Sequence, residues 1–128
     1  MKITVMTEPI GKPRMTQRDR WKKRPCVLRY HAFKDAVRKA LLAELPFNKV
    51  PTDPQGVNIA AYFSMPKSWP KRKKESLSGA PHKQKPDIDN IIKAVLDTIF
   101  PEDSLIYCVM AEKYWDDGRG TRLEIEIR

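Results

Sequence analysis

The 128-residue sequence has no long apolar run, few cysteines and few histidines. Its apolar runs extend over only a few residues, well below the roughly 20 that cross a bilayer, and its N-terminus lacks the order of charged, apolar and small residues that marks a secretion signal. We therefore expect a cytoplasmic chain. Since the sequence has no repeat and no linker, residues 1–128 are expected to form a single domain.

Cysteine and histidine are too sparse and too scattered for a disulfide scaffold or a zinc site. The two cysteines, Cys26 and Cys108, have no CxxC spacing, and the two histidines, His31 and His82, have no spacing that would pair them as ligands. His82 is expected to be an ordinary loop residue.

Charge is abundant and unevenly distributed. The net charge is +9, with 20 Lys/Arg against 6 Asp/Glu in residues 1–85 and 5 against 10 in residues 86–128. A basic surface binds a polyanion, because each neutralised phosphate releases condensed counterions. An acidic cluster opposes such binding, so it needs another reason to exist, and metal ligation is one that fits.

Alternating apolar residues predict four strands. They fall within residues 3–5, 57–65, 105–115 and 121–127, and the glycines between the last two predict a C-terminal hairpin. Residues 11–29 contain two prolines and many basic residues and are expected to form a surface loop.

Helical spacing of apolar residues predicts three helices. One covers about residues 31–45, and the strongest pattern covers residues 88–99, directly after Asp87. A short basic helix between them is expected to be capped by Ser68 and ended by Gly79. The order β-α-β-α-α-β-β predicts an α+β fold, with a mixed or largely antiparallel sheet and helices packed on one face.

The start of the third predicted helix carries a line of charged residues. Asp87 is expected to cap the helix, and Asp89, Lys93 and Asp97 follow at intervals of four, away from the apolar stripe. A cap, an acidic first turn and an i,i+4 ion pair are common in helices and explain each residue taken alone. A cap residue leaves helical geometry, however, so Asp87 and Asp89 can point to one spot.

Two adjacent carboxylates predict a metal site, because they repel each other unless a cation lies between them. Hard carboxylate oxygens suit Mg²⁺, with Mn²⁺ able to substitute. Such an ion polarises a scissile phosphate and lowers the pKa of the attacking water. Asp103, just before the third strand, is expected to be the third ligand. Lys93 is expected either to stabilise charge on the phosphate or to be a solvated partner of an aspartate.

The segment KPDIDNIIKAVLD, followed by EDS before a strand, resembles the RusA-type Holliday junction resolvases. The family pattern D-x-D-N-x-x-K-x-x-x-D is matched in register by Asp87, Asp89, Asn90, Lys93 and Asp97. The GKPR stretch near the start, the MPKSW segment and the C-terminal alternation extend the resemblance over most of the chain.

The resemblance implies a homodimeric, magnesium-dependent crossover junction endodeoxyribonuclease. Each subunit would nick one strand of a four-way junction, so that the paired cuts are symmetric. The residues that match the family's essential ones are Asp87, Asp89, Lys93 and Asp103.

Two departures from the family pattern concern the loop that presents Asp103. Glu102 stands where the family often has aspartate, and Leu105 stands where it often has glutamine. The connection from Asp97 to Asp103 is also shorter than in the founding member. The short form implies a phage or prophage source.

Two basic segments are expected to bind the DNA backbone. The residues predicted to do so are Lys12, Arg14, Arg18, Arg20, Lys22, Lys23, Arg24, Lys71, Arg72, Lys73, Lys74, Lys83 and Lys85. Trp21 and Trp69 lie within these segments and are either packing anchors or platforms for unpaired bases.

Two other functions fit the same residues. A non-catalytic branched-DNA-binding protein would use the basic segments and keep the acidic helix start only as a cap. A nuclease of the same chemistry would prefer flaps or forks. A pure binder gains nothing from carboxylates near phosphates, so the clustering of Asp87, Asp89 and Asp103 favours a nuclease, whose preferred branch the sequence does not determine.

Overall fold

The computed structural model describes residues 1–14, 24–44 and 50–128. Within these ranges, three helices and four strands follow one another in the predicted order. They are β1 (Lys2–Val5), α1 (Pro25–Glu44), β2 (Val57–Phe63), α2 (Lys71–Leu77), α3 (Ile88–Ile99), β3 (Val109–Trp115) and β4 (Arg122–Ile127). A short 3₁₀ turn, Asp103–Leu105, lies between α3 and β3. The α+β class is therefore confirmed.

The four strands form one mixed sheet in the order β1-β4-β2-β3. Strand β4 is antiparallel to both β1 and β2, whereas β3 is parallel to β2. The predicted C-terminal hairpin was wrong, because β2 lies between β3 and β4. The connection between them is tied to the end of β2: the Asp116 amide donates to the Phe63 carbonyl at 2.8 Å, and the Thr121 hydroxyl donates to the Tyr62 carbonyl at 2.8 Å.

One face of the sheet is covered by α1 and α3. In β2, Val57, Ile59, Ala61 and Phe63 are buried, and the residues between them are half-buried. These side chains belong to the same apolar cluster as most of the buried residues of α1 and α3, and the two helices contact each other. The predicted packing on one face is confirmed. Because the apolar stripe of α3 faces this core, the charged side of the helix faces outward.

Helix α1 begins at Pro25, six residues before the predicted start. Val27 and Tyr30 are buried and extend the apolar stripe toward the N-terminus. Proline is tolerated in a first helical turn, because its missing amide hydrogen has no intrahelical partner there. The loop predicted over residues 11–29 is therefore wrong from Pro25 onward, and residues 15–23 lie outside the described chain. The predicted end at Leu45 also lies outside it.

Helix α2 carries its basic residues on the outside of the molecule. Its N-cap position is Pro70, so the predicted cap by Ser68 was wrong, whereas Gly79, with φ of +70°, follows the helix end as predicted. No residue of α2 is buried, and all but Lys74 and Leu77 are exposed. Trp69, just before the helix, packs on Trp115 of β3 with ring centroids 4.9 Å apart and so attaches this segment to the sheet.

None of the helices in the described ranges is both long enough and apolar enough to span a membrane.

Candidate active site

Asp87 occupies the predicted N-cap position of α3. Its backbone is extended, with φ −66° and ψ 144°, and its carbonyl accepts hydrogen bonds from the amides of Asn90 and Ile91 at 3.1 and 3.2 Å. Among the described residues, however, the Asp87 carboxylate makes no capping hydrogen bond. A role in helix capping therefore does not account for this side chain, which is exposed.

Asp87 and Asp89 line the same open depression in the surface. Its volume is about 540 Å³. The lining residues are His82, Lys83, Gln84, Lys85, Asp87, Ile88, Asp89 and Lys113. Two carboxylates thus share one cavity with three lysines. Carboxylates of this kind are ligands for a hard cation, and lysines beside them are partners for the phosphate oxygens that such a cation binds.

Asp103, the predicted third ligand, is not among the residues that line this depression. It begins the 3₁₀ turn before β3 and is exposed. In the part of the chain that the structure describes, no three His, Cys, Asp or Glu residues are grouped so that they could hold a metal ion. The structure therefore brings Asp87 and Asp89 to one cavity and leaves Asp103 outside it.

Lys93 lies one turn along α3 from Asp89. Its ammonium nitrogen is 3.9 Å from a carboxylate oxygen of Asp89, and both side chains are more than half exposed. An exposed pair at this distance is weak and exchanges readily with other partners. Lys93 can therefore leave Asp89 for a phosphate oxygen at little cost.

Lys12 and Asp97 form a closer pair on the same side of α3. The Lys12 ammonium lies 2.5 Å from the Asp97 carboxylate, and this hydrogen bond raises the pKa of Lys12 above its ordinary value despite the opposing effect of burial. The Lys12 amide donates to the Asn90 carbonyl at 3.1 Å. A Cβ at Gly11 would come within 2.9 Å of the Asn90 side chain, so glycine permits this close crossing over α3. Lys12, predicted to bind DNA, is thus placed against Asp97.

Several other predicted DNA-binding cations are exposed near the depression or on α2. Lys83 and Lys85 line the depression, and both are exposed. Lys71, Arg72 and Lys73 are exposed on α2, and Lys74 is half-buried. The Lys73 ammonium lies 4.1 Å from the ring centre of Trp69, which supports the packing role of that tryptophan.

The remaining predicted DNA-binding residues lie at or beyond the borders of the described ranges. Arg14 and Arg24 are both exposed, and the Arg24 guanidinium donates to the Arg14 carbonyl at 2.6 Å. Arg18, Arg20, Lys22 and Lys23 lie outside the described residues, as does Trp21.

Lys113 and His82 line the depression and were not predicted to belong to the site. Lys113 alternates with Ala111 and Trp115 on the more buried side of β3. A lysine at such a position is unusual, and this signal could have identified Lys113 from the sequence. His82 is only 6% exposed; its ring stacks on Phe63 at 4.1 Å. Burial lowers the pKa of His82, and its Nδ1 has no hydrogen-bond partner among the described residues.

Comparison with known protein families gives a match to this chain. The sequence profile of the family described as endodeoxyribonuclease RusA matches residues 7–128. The comparisons with curated proteins and with solved structures gave no match. The matched range includes the start of α3, the 3₁₀ turn with Asp103 and every strand of the sheet except β1. The phage source that the short loop implied stays a prediction. Because the match covers nearly the entire chain, the protein belongs to the RusA endodeoxyribonuclease family.

Proposed function

We propose that the protein is a magnesium-dependent, structure-selective endonuclease that resolves Holliday junctions by paired symmetric nicks. Membership of the RusA family implies an endonuclease that acts on Holliday junction DNA. The observation that carries the proposal of a metal-dependent cut is that Asp87 and Asp89 line one depression, beside Lys83, Lys85 and Lys113.

Asp87 and Asp89 fit a magnesium site because Mg²⁺ is commonly bound by one or two carboxylates and completes its shell with water and substrate phosphate oxygens. The same oxygen donors also accept Mn²⁺. Asp103 is assigned as a further ligand on the family resemblance alone.

The bound ion would polarise the scissile phosphodiester and lower the pKa of the attacking water. The protein side chains have separate tasks. Asp87 and Asp89 would hold the ion at the start of α3. Lys93 contacts a non-bridging phosphate oxygen and stabilises the negative charge that grows in the transition state. Lys83 and Lys85 bind phosphates beside the scissile bond and orient it.

A homodimer is the second part of the proposal. Paired nicks at symmetric positions require two active sites that act on two strands, and each chain supplies one. A twofold dimer also matches the approximate symmetry of a four-way junction. The exposed cations of α2 lie outside the core and would extend the positive surface along the arms of the junction, where each phosphate contact adds salt-dependent affinity.

The alternative of a non-catalytic DNA-binding protein has less support. A binding protein would keep the aspartates at the start of α3 only to cap the helix. The Asp87 carboxylate, however, makes no capping hydrogen bond within the described residues. A nuclease that prefers flaps or forks shares all the chemistry proposed here, so it is distinguished by substrate.

The test is cleavage of end-labelled four-way junctions, flaps, forks and matched linear duplex in Mg²⁺, in Mn²⁺ and in chelator. We expect paired symmetric nicks on the four-way junction, absent in chelator. Asp35→Asn, which changes an exposed aspartate on α1, serves as the control for Asp89→Asn. Tight, salt-sensitive binding without any cut would favour the binding protein, and faster cutting of flaps or forks would favour the other nuclease.

A further inference from the structure

The segment that leads from α2 into α3 is attached to the edge strand β3. The Trp115 amide donates to the Ala80 carbonyl at 2.9 Å, and the His82 amide donates to the Lys113 carbonyl at 3.0 Å. Pro81 and Tyr114 form an antiparallel bridge between these two bonds. The segment therefore runs along β3 for about three residues before it turns toward Asp87.

The side chain of Lys113 continues this attachment where the backbone bonds end. Its ammonium group donates to the Gln84 carbonyl at 2.6 Å and to the Pro86 carbonyl at 2.8 Å. A lysine ammonium has three donors, so these two bonds leave one more for water. Pro86 directly precedes Asp87, and fixing its carbonyl restricts the direction in which the chain enters α3.

Lys113 also lines the depression that contains Asp87 and Asp89. Lys113 belongs to β3, which is distant in sequence from the start of α3. Its side chain therefore links this strand to the segment that carries the two carboxylates. Residues that orient metal ligands without touching the metal commonly change metal affinity or activity by about tenfold to a hundredfold when they are replaced.

We propose that Lys113 is a positioning residue for the metal-binding carboxylates: by holding the Gln84 and Pro86 carbonyls, it sets the place of Asp87 beside Asp89 in the DNA-free protein. This inference rests on the proposed metal-dependent function. Two effects oppose each other in it, because the ammonium organises the ligands and also repels a cation. The organisation of the ligands by Lys113 outweighs its repulsion of the cation.

The first measurement is Mn²⁺ binding to the full chain without DNA. The electron paramagnetic resonance signal of free Mn²⁺ reports how much of the ion is bound. Lys113→Met removes the two hydrogen bonds and the charge at similar side-chain length. We expect it to weaken Mn²⁺ binding about tenfold or more. Lys113→Arg keeps both charge and donors and is expected to stay within about threefold of the wild type. Lys39→Met, which removes an exposed charge from α1, is expected to leave Mn²⁺ binding unchanged.

The second measurement is junction binding in chelator, where Lys113→Met is expected to lose no more affinity than Lys39→Met. Circular dichroism checks that each variant folds, and if Lys113→Met does not fold, Lys113→Gln is compared by the same criteria. Unchanged or tighter Mn²⁺ binding by the folded Lys113→Met or Lys113→Gln protein would overturn the proposal, as would a loss confined to junction affinity. If the wild type itself binds no Mn²⁺, the proposed function fails at that step, independently of Lys113.

Discussion

Removing the carboxylate of Asp117 is expected to destabilise the fold by about 2 kcal/mol, because it leaves a buried guanidinium short of a partner. Arg122, at the start of β4, is 3% exposed, and Asp117 accepts hydrogen bonds from its two terminal nitrogens at 3.0 and 3.2 Å. Glu124 and the Gly120 carbonyl accept one more each, at 3.0 Å. The guanidinium also stacks on the ring of Tyr62 at 3.8 Å.

The size of this effect follows from what remains after Asp117→Ala. Breaking a fully buried ion pair by removing one partner costs roughly 3–5 kcal/mol, because the other charge stays buried without compensation. Arg122 keeps Glu124 and the Gly120 carbonyl, and the Asp117 side chain is itself 23% exposed, so solvent screens part of the interaction. Both facts reduce the expected cost to about 2 kcal/mol.

Urea unfolding at pH 7 measures this difference, with Asp35→Ala as the matched control. Asp35 lies 3.9 Å from Arg38 on α1 and is 79% exposed, so its loss should change the free energy of unfolding by less than about 0.5 kcal/mol. An Asp117→Ala protein as stable as this control would refute the argument that Arg122 depends on its acidic partner.

The same pair predicts a dependence on pH. Hydrogen bonds from Arg122 hold the pKa of the Asp117 carboxyl far below its ordinary value. A carboxyl with a lowered folded-state pKa stabilises the fold fully above its unfolded pKa, near 3.9, and loses that contribution as pH falls toward the folded pKa. The stability difference between wild type and Asp117→Ala should therefore be constant from about pH 5 to 8 and shrink below about pH 4. A difference that grows in acid would contradict the assignment.

Four further outcomes test the site. Asp89→Asn is expected to abolish junction cleavage while junction affinity in chelator stays equal or rises, since a negative charge near phosphate is removed; lost affinity in a folded protein would argue against this. Lys93→Ala is expected to lower the cleavage rate about a hundredfold or more with Mn²⁺ binding intact, and near-normal turnover would leave it an ion-pair partner only. Lys12→Met should lower unfolding stability by about 1 kcal/mol with little change in the salt dependence of junction binding, whereas Lys71→Ala should reduce that salt slope by about one; the reverse pattern would make Lys12 the phosphate contact. Asp103→Asn should abolish cleavage but leave Mn²⁺ binding to the DNA-free protein near that of the wild type. Weakened Mn²⁺ binding without DNA would mean that Asp103 acts as a ligand with Asp87 and Asp89 before DNA binds.

The parts of the fold that depend on local periodicity could be predicted from the sequence. The apolar stripe of α3 and the cap position of Asp87 both follow from residues within three turns of one another. The alternation in β2 likewise showed which of its residues face the core. Burial of one such side chain stabilises the fold by roughly 1.5–3 kcal/mol, which is why these patterns are strong enough to be recognised in the sequence.

The neighbours of the last two strands could not be predicted in the same way. Alternation tells which face of a strand is buried, but it does not tell which strand lies beside it. The glycines between β3 and β4 are typical of a tight reversal, yet here the connection passes the end of β2 and bonds to Phe63 and Tyr62. Strand β3 is only the nearest possible partner of β4 in the sequence. In the structure, the more buried β2 lies beside β4 instead.

The early start of α1 has a related cause. Val27 and Tyr30 continue the apolar stripe, but the basic residues around them and Pro25 gave that stretch the composition of a loop. Burial of these side chains overrides this composition, because two more buried side chains favour the helix by more than the weak local preference opposes it.

The candidate site combines both kinds of information. Asp87 and Asp89 are two residues apart, so the change from cap to helix geometry is sufficient to bring them to one depression, and this could be inferred from the sequence. Lys113 reaches the same depression only because β3 lies beside β2 and because the segment before α3 runs along β3. The position of Asp103 depends on the turn between α3 and β3, and Asp103 is not among the residues that line the depression. Lys113 on the edge strand and Asp103 on the short turn therefore depend on different parts of the chain. For this reason the metal affinity of the DNA-free protein and the cleavage rate on the junction should respond differently to changes at Lys113 and at Asp103.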